Sequence, residues 1–233
     1  MGKIRKRVIS EINKYSSNQL IMMSKFYRNN FSSFLSETAF YKLISRLYIS
    51  GEIYRVSKGI YCKANQSKYG KSLLQENEVV ETYTKNEKGI LIGYQLYNQL
   101  GITTQVSKRY IIYSSSVDKQ NKNIGNVNIH RYNLIYNNAT KSMICILELL
   151  YNYRNIQDLN ISCYINEIKR LSKEYNEKVF ENVQKEIKYP KWVIAFLQEV
   201  LNYYQIPNDL KMYLSSLSKY NIPKMSELYE FAQ

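Results

Sequence analysis

From Ser36 to Lys63 the pattern of apolar positions and the breaks between them predicts three elements. Phe40, Leu43, Ile44 and Leu47 recur at i, i+3, i+4 and i+7, the stripe of an amphipathic helix. Ser36 stands where a hydroxyl can accept an unpaired amide proton of the first turn, and Gly51 stands where the chain must leave the helix. Two short β runs follow, Ile53 to Val56 and Ile60 to Lys63. The two runs are split by Ser57-Lys58-Gly59, which predicts a β-hairpin with Gly59 supplying the positive φ of its turn.

The chain before this stretch predicts a first helix over Lys3 to Tyr15, with Ile4, Val8, Ile9 and Ile12 on one side. Ser16-Ser17-Asn18 breaks it. Leu20 to Met22 is a short apolar run suited to a small strand, and Ser24 is a candidate cap for a brief helix over Lys25 to Arg28. Asn29-Asn30 predicts a turn, with Phe31 and Phe34 directed to the core. The order is helix, short strand, helix, helix, two-stranded hairpin, which is the order of a winged helix-turn-helix.

Beyond Lys63 the polar run Ala64 to Ser72 reads as a linker, and Leu73 to Tyr83 as a helix. Lys85 to Gly89 predicts a turn and Gly93 to Gln99 a short helix stopped by Gly101. Arg109 to Tyr113 and Val127 to Tyr132 are rich in β-branched and aromatic residues and predict strands, with Ser114 to Asn126 as a hairpin loop or irregular connection. From Ser142 onward the pattern is helical. Met143, Ile146, Leu147 and Leu150 keep one stripe, and Ile161, Ile165, Ile168 and Leu171 a second. Val193, Phe196, Leu197, Val200, Leu201 and Tyr204 keep a third, with Pro190 at its start. Glu174 with Lys178 and Glu181 with Lys185 have the spacing of ion pairs on a solvated helix face. Two further helices are expected near Leu210 to Ser218 and Lys224 to Phe231. The expected fold class is α+β: a winged head over residues 1–65, then a mixed domain over 73–233 with a small β-sheet and a helical C-terminal part.

Charge sharpens this division. The 233 residues carry a net charge of +14. Residues 1–63 hold twelve Lys or Arg against three Glu, a net +9 in about a quarter of the chain. An AT-rich coding sequence also enriches Lys, Asn, Ile and Tyr, but it does so evenly along the chain. A concentrated positive head points to a polyanion. On the outward face of the Ser36–Ser50 helix lie Thr38, Tyr41, Lys42, Ser45 and Arg46, donors and acceptors suited to base edges and phosphates. Arg55 and Lys58 add positive charge on the hairpin. These seven residues are the candidate DNA-binding set, with double-stranded DNA as the expected partner. The competing reading is an ordinary amphipathic helix with a solvated charged face.

Other chemistry finds little support in the residues. Asn65 to Ser72, NQSKYGKS, ends like a phosphate-binding loop, but Asn65 stands where that loop needs its first glycine. His130 is the single histidine, so a Ser or Cys nucleophile lacks an evident base. Cys62, Cys145 and Cys163 have no metal-ligand spacing and read as reduced, buried thiols. Glu76 and Glu78 do not share a helix face. No catalytic residue, metal site or cofactor is expected. No leader sequence and no apolar run of membrane-spanning length is visible, and Met143 to Leu150 is short and interrupted by Glu148. A cytoplasmic protein is expected.

Three segments carry a family resemblance. Leu43 to Tyr61, LISRLYISGEIYRVSKGIY, resembles the helix and wing of AbiEi-type antitoxins of type IV toxin–antitoxin systems. Gly93 to Val106, GYQLYNQLGITTQV, is similar to the segment that follows in those proteins. Tyr189 to Asn202, YPKWVIAFLQEVLN, resembles a helix in the C-terminal part of their uncharacterised relatives. The resemblance implies a DNA-binding transcriptional autorepressor that recognises operator repeats through its winged head. It also implies a C-terminal domain that counteracts a nucleotidyltransferase-like toxin without requiring a stable complex. The alternative is a DNA-binding regulator or defence-associated protein that has no toxin partner.

Overall fold

A computed structural model describes residues 2–16, 19–63, 66–67, 70–71, 76–215 and 217–232. The fold is α+β, and the chain divides into two compact units, residues 1–82 and 83–233.

The first unit begins with α1 (Gly2–Asn13), which buries Val8 and Ile12. A two-residue strand β1 (Ile21–Met22) leads directly into α2 (Met23–Asn30). That helix starts one residue before Ser24, with Met22 at its N-cap and no side-chain cap bond, so Ser24 does not cap it; Asn29 and Asn30 are its last turn. The reason is local: Met23 N donates to Gly59 O at 2.9 Å, so the backbone of the hairpin turn fixes where the helix begins. Next comes α3 (Glu37–Ile49). Ser36 Oγ accepts from Ala39 N at 3.3 Å, and Gly51 leaves the helix at φ +76°. The hairpin follows as β2 (Ile53–Ser57) and β3 (Ile60–Lys63).

The three strands form one antiparallel sheet in the order β1-β3-β2. Ser57 pairs with Ile60, so the turn is the two residues Lys58-Gly59, with Gly59 at φ +78°. A bulge between Arg55 and Ser57 twists the tip. Phe40 is the hub of the core, its ring 5.6 Å from that of Phe31, 5.1 Å from Tyr27 and 6.1 Å from Phe26. Phe31 is buried as expected, whereas Phe34 is exposed and lies under the Arg7 guanidinium at 4.4 Å.

Within the expected linker, β4 (Gln66–Ser67) pairs with β5 (Gly70–Lys71) as a two-residue ladder. The remainder of Ala64 to Ser72, including Asn65 and Ser72 of the loop-like motif, lies outside the described residues, as do residues 73–75. The helix expected from Leu73 is described from Glu76: α4 (Glu76–Thr84), in which the division between the two units falls.

The second unit carries a four-stranded sheet built from β6 (Gly89–Ile92), β7 (Tyr110–Ser114), β8 (Asn121–Ile124) and β9 (Val127–Arg131), in the order β6-β7-β9-β8. Two of these strands depart from the sequence reading. β6 lies in what reads as a turn and a spacer. β8 lies inside the expected loop, and because it reverses the chain, β7 and β9 run parallel to each other. A short helix α5 (Tyr94–Gln99) follows β6.

The helical part is centred on α6 (Asn138–Asn152), which packs against α7 (Ile161–Ser172), α8 (Glu177–Ile187) and α9 (Lys191–Tyr203). Asparagine side chains cap three of these helices: Asn137 accepts from Thr140 N, Asn160 from Cys163 N and Asn176 from Val179 N. Glu174 falls between α7 and α8. It therefore accepts from Arg170 at 3.1 Å and is not in a common helix with Lys178. The helix expected over Leu210 to Ser218 is a single 3-10 turn, Leu210–Tyr213, while α10 (Met225–Glu230) forms near its expected place.

Candidate nucleic-acid interface

The first unit gathers the seven candidate residues on two adjoining elements. The core stripe of α3, with Phe40, Ile44 and Leu47 buried to 1% exposure or less, fixes the rotation of the helix. That rotation leaves Thr38, Lys42, Ser45 and Arg46 exposed on the other side. On the hairpin, Ile53 and Ile60 are buried, Arg55 is exposed beside the bulge, and Lys58 is exposed at the turn.

Tyr41 differs from its six companions in being half-buried. Its ring meets Phe40 edge-on at 5.3 Å and packs on the core cluster. Burial first, and the Glu37 carboxylate second, push its hydroxyl pKa up, while Arg28 of α2 acts in the opposite direction. The hydroxyl therefore stays protonated and can donate. Arg28 and Lys25, both exposed on α2, were not in the sequence-derived set. Their signal was weak because they stand in a short helix with no hairpin beside it in sequence. It is the packing of Phe26 and Tyr27 of α2 against Phe40 of α3 that brings Arg28 near Tyr41.

The positive charge is only partly spent within the unit. Arg5 pairs with Glu52 at 2.5 Å, which ties α1 to the segment between α3 and β2. Lys14 pairs with Glu11 at 2.7 Å on the same helix. The unit has three acidic residues up to Lys63, so most of its twelve cations face solvent in excess. The chemistry available here is binding to a polyanion with a hydrogen-bonding helix at its centre.

No group of three His, Cys, Asp or Glu residues able to hold a metal ion occurs among the described residues. Cys62 is buried, and Cys145 and Cys163 are half-buried; all three are free thiols. His130 lies on β9, where its Nδ1 is 2.7 Å from Asn121 Oδ1, and burial lowers its pKa. Among the described residues no helix is long and apolar enough to cross a membrane.

Comparison with known proteins gives three findings. No curated protein matches the chain. The crystal structure of the RV2827C protein from Mycobacterium tuberculosis is similar with a TM-score of 0.47 and 10% identity, over 94% of this chain and 83% of that one. Residues 9–188 match a family of unknown function, DUF6088. The match spans most of the chain, from the first helix through α8, and the chain accordingly belongs to the DUF6088 family.

Proposed function

We propose that the first unit is a winged helix-turn-helix that binds duplex DNA, with α3 in the major groove and the β2–β3 hairpin as the wing. One observation carries this reading. The element order α1-β1-α2-α3-β2-β3, with the sheet ordered β1-β3-β2, leaves Thr38, Lys42, Ser45 and Arg46 exposed on one helix and Arg55 and Lys58 on the hairpin that follows. In this reading Lys58 and Arg55 meet phosphates, Thr38, Lys42 and Ser45 reach base edges, and Arg46 serves either. Tyr41 donates its hydroxyl from the margin of the contact, and Arg28 adds a phosphate contact from α2.

The resemblance to AbiEi-type antitoxins extends the proposal. The chain acts in the cytoplasm as a DNA-binding autorepressor of its own operon, recognising operator repeats. Its second unit counteracts a nucleotidyltransferase-like toxin, functionally and without a lasting complex. No catalytic role is assigned to it. A regulator without a toxin partner would keep the same head and lack the second activity.

The test of the DNA reading is a titration of the full chain with duplex from upstream of its own gene at several salt concentrations. If the head neutralises about 4 to 6 phosphates, log affinity falls against log salt with a slope near −4 to −5. A flat salt response, or no binding at low salt, overturns it. Co-expression with a neighbouring nucleotidyltransferase-like gene tests the antitoxin half separately, growth rescue being the expected result.

A further inference from the structure

The second unit holds a feature unrelated to DNA contact, a cavity of about 300 Å³ between the sheet, α5 and α6. Its lining includes Tyr94 and Tyr97 of α5, Tyr113 of β7, His130 of β9, and Glu148 and Tyr151 of α6. Glu148 is 3% exposed, in the middle of an otherwise apolar helix face. Its Oε1 accepts from Tyr189 at 2.7 Å and from Tyr113 at 3.0 Å. Its Oε2 accepts from Asn152 alone, at 3.3 Å. Tyr97 donates to the backbone carbonyl of Glu148 at 3.4 Å.

Every side chain that hydrogen-bonds this carboxyl is neutral: Tyr113 from β7, Tyr189 from the segment ahead of α9, and Asn152 one turn along α6. Among the described residues no ion pair includes Glu148. With no charged partner among its hydrogen-bond donors, burial favours the protonated acid, and a cation at Oε2 would favour the carboxylate. What adjoins it is a cavity walled by tyrosine rings. Aromatic faces around a carboxylate are the arrangement that recognises an organic cation, through cation–π attraction to the rings and a charge-assisted hydrogen bond to the oxygen. Arg109 also lines the cavity, but from an exposed position where its guanidinium can turn to water.

We propose that this cavity binds a small organic cation, an alkylammonium or guanidinium, whose charged group hydrogen-bonds Glu148 Oε2 and whose body packs on Tyr94, Tyr97 and Tyr113. The neighbouring larger groove shares Tyr151 with it and has no buried charge of its own. A metal ion finds too few ligands here, since Glu148 and His130 are the only His, Cys, Asp or Glu residues in the lining.

The experiment is isothermal titration of the full chain with agmatine and with spermidine, using guanosine monophosphate as an anionic control. Saturable binding of one cation per chain is the expected result. Glu148→Gln keeps the acceptor for both tyrosines and removes the charge, and should weaken that binding at least about tenfold. Tyr94→Leu removes one wall at a half-exposed position and should weaken it about three- to tenfold; it decides the matter if Glu148→Gln fails to fold by circular dichroism. The proposal is overturned if neither cation saturates, if the folded variants bind as the wild type does, or if the control anion competes for the site.

Discussion

Tyr189, in the loop ahead of α9, donates its hydroxyl to Glu148 Oε1 at 2.7 Å, across 41 positions of sequence. With Tyr113 donating to the same oxygen, the contact joins the sheet, α6 and the entry to α9 at one buried acid. Tyr189→Phe removes the hydroxyl and leaves the acid one donor short. The expected cost is about 1–3 kcal/mol. Trp192, the single tryptophan, lies at the start of α9 and reports the second unit's unfolding in urea; an unchanged midpoint would contradict the role given to this bond.

The same acid makes stability depend on pH. Burial raises the Glu148 pKa above its ordinary 4.5, against the three hydrogen bonds that lower it. In the unfolded chain the group ionises near its ordinary value, so between the two values the native state holds the extra proton. Its contribution is therefore complete below pH 4.5 and is lost as pH rises through the folded-state pKa. Glu148→Gln cannot ionise. The stability of the wild type relative to this variant should fall as pH rises from 4.5, and urea midpoints of both proteins across that range check the sign.

Gly89 opens β6 where no side chain fits. A Cβ there would stand 2.4 Å from the carbonyl oxygens of both Tyr113 and Tyr83, and 3.0 Å from Ser114 Cβ. Two of these neighbours are backbone, and the Tyr83 carbonyl also accepts from the Ser114 hydroxyl at 2.9 Å. Gly89→Ala should destabilise the second unit by about 1–3 kcal/mol. Thermal unfolding followed by Trp192 fluorescence measures this, and a wild-type melting temperature would refute it.

Phe40 carries the core of the first unit, fully buried among Phe26, Tyr27 and Phe31. Phe40→Ala should cost that unit about 3–5 kcal/mol. Since the two core clusters share no residue, the Trp192 transition should stay in place while the first unit's share of the circular dichroism transition moves down. A joint shift of both signals would show that the units unfold together.

On the proposed interface, Lys58→Ala removes a charge at the hairpin tip and should weaken all duplexes about equally, lowering the salt slope by about one. Lys42→Ala on α3 should also blur the preference among sequences. Competition binding with several duplexes separates the two outcomes, and a change of preferred sequence with Lys58→Ala would invert the assignment.

Much of the first unit is legible in the sequence because its elements are stabilised locally. The stripe of Phe40, Ile44 and Leu47, the cap at Ser36, the stop at Gly51 and the turn at Gly59 all act within a few residues of themselves. The exposed set on α3 follows directly, since a buried stripe fixes which side faces out. Tyr41 is the partial exception: its ring edges onto Phe40, and adjacency to the stripe draws an aromatic inward.

What the sequence alone could not decide lies mainly in pairings between distant residues. β8, Asn121 to Ile124, has one apolar residue and reads as loop; it is a strand because β9 offers hydrogen bonds beside it. β6 is four residues between turn signals, and it becomes a strand only by pairing with β7. Glu148 interrupts an apolar helix in the sequence and looks like a flaw in it. Its tyrosine partners stand 35 and 41 residues away, so only the tertiary structure turns that interruption into a buried acid beside a cavity. Periodicity reports the environment a residue needs along its own element, and the folded chain decides which distant groups supply it.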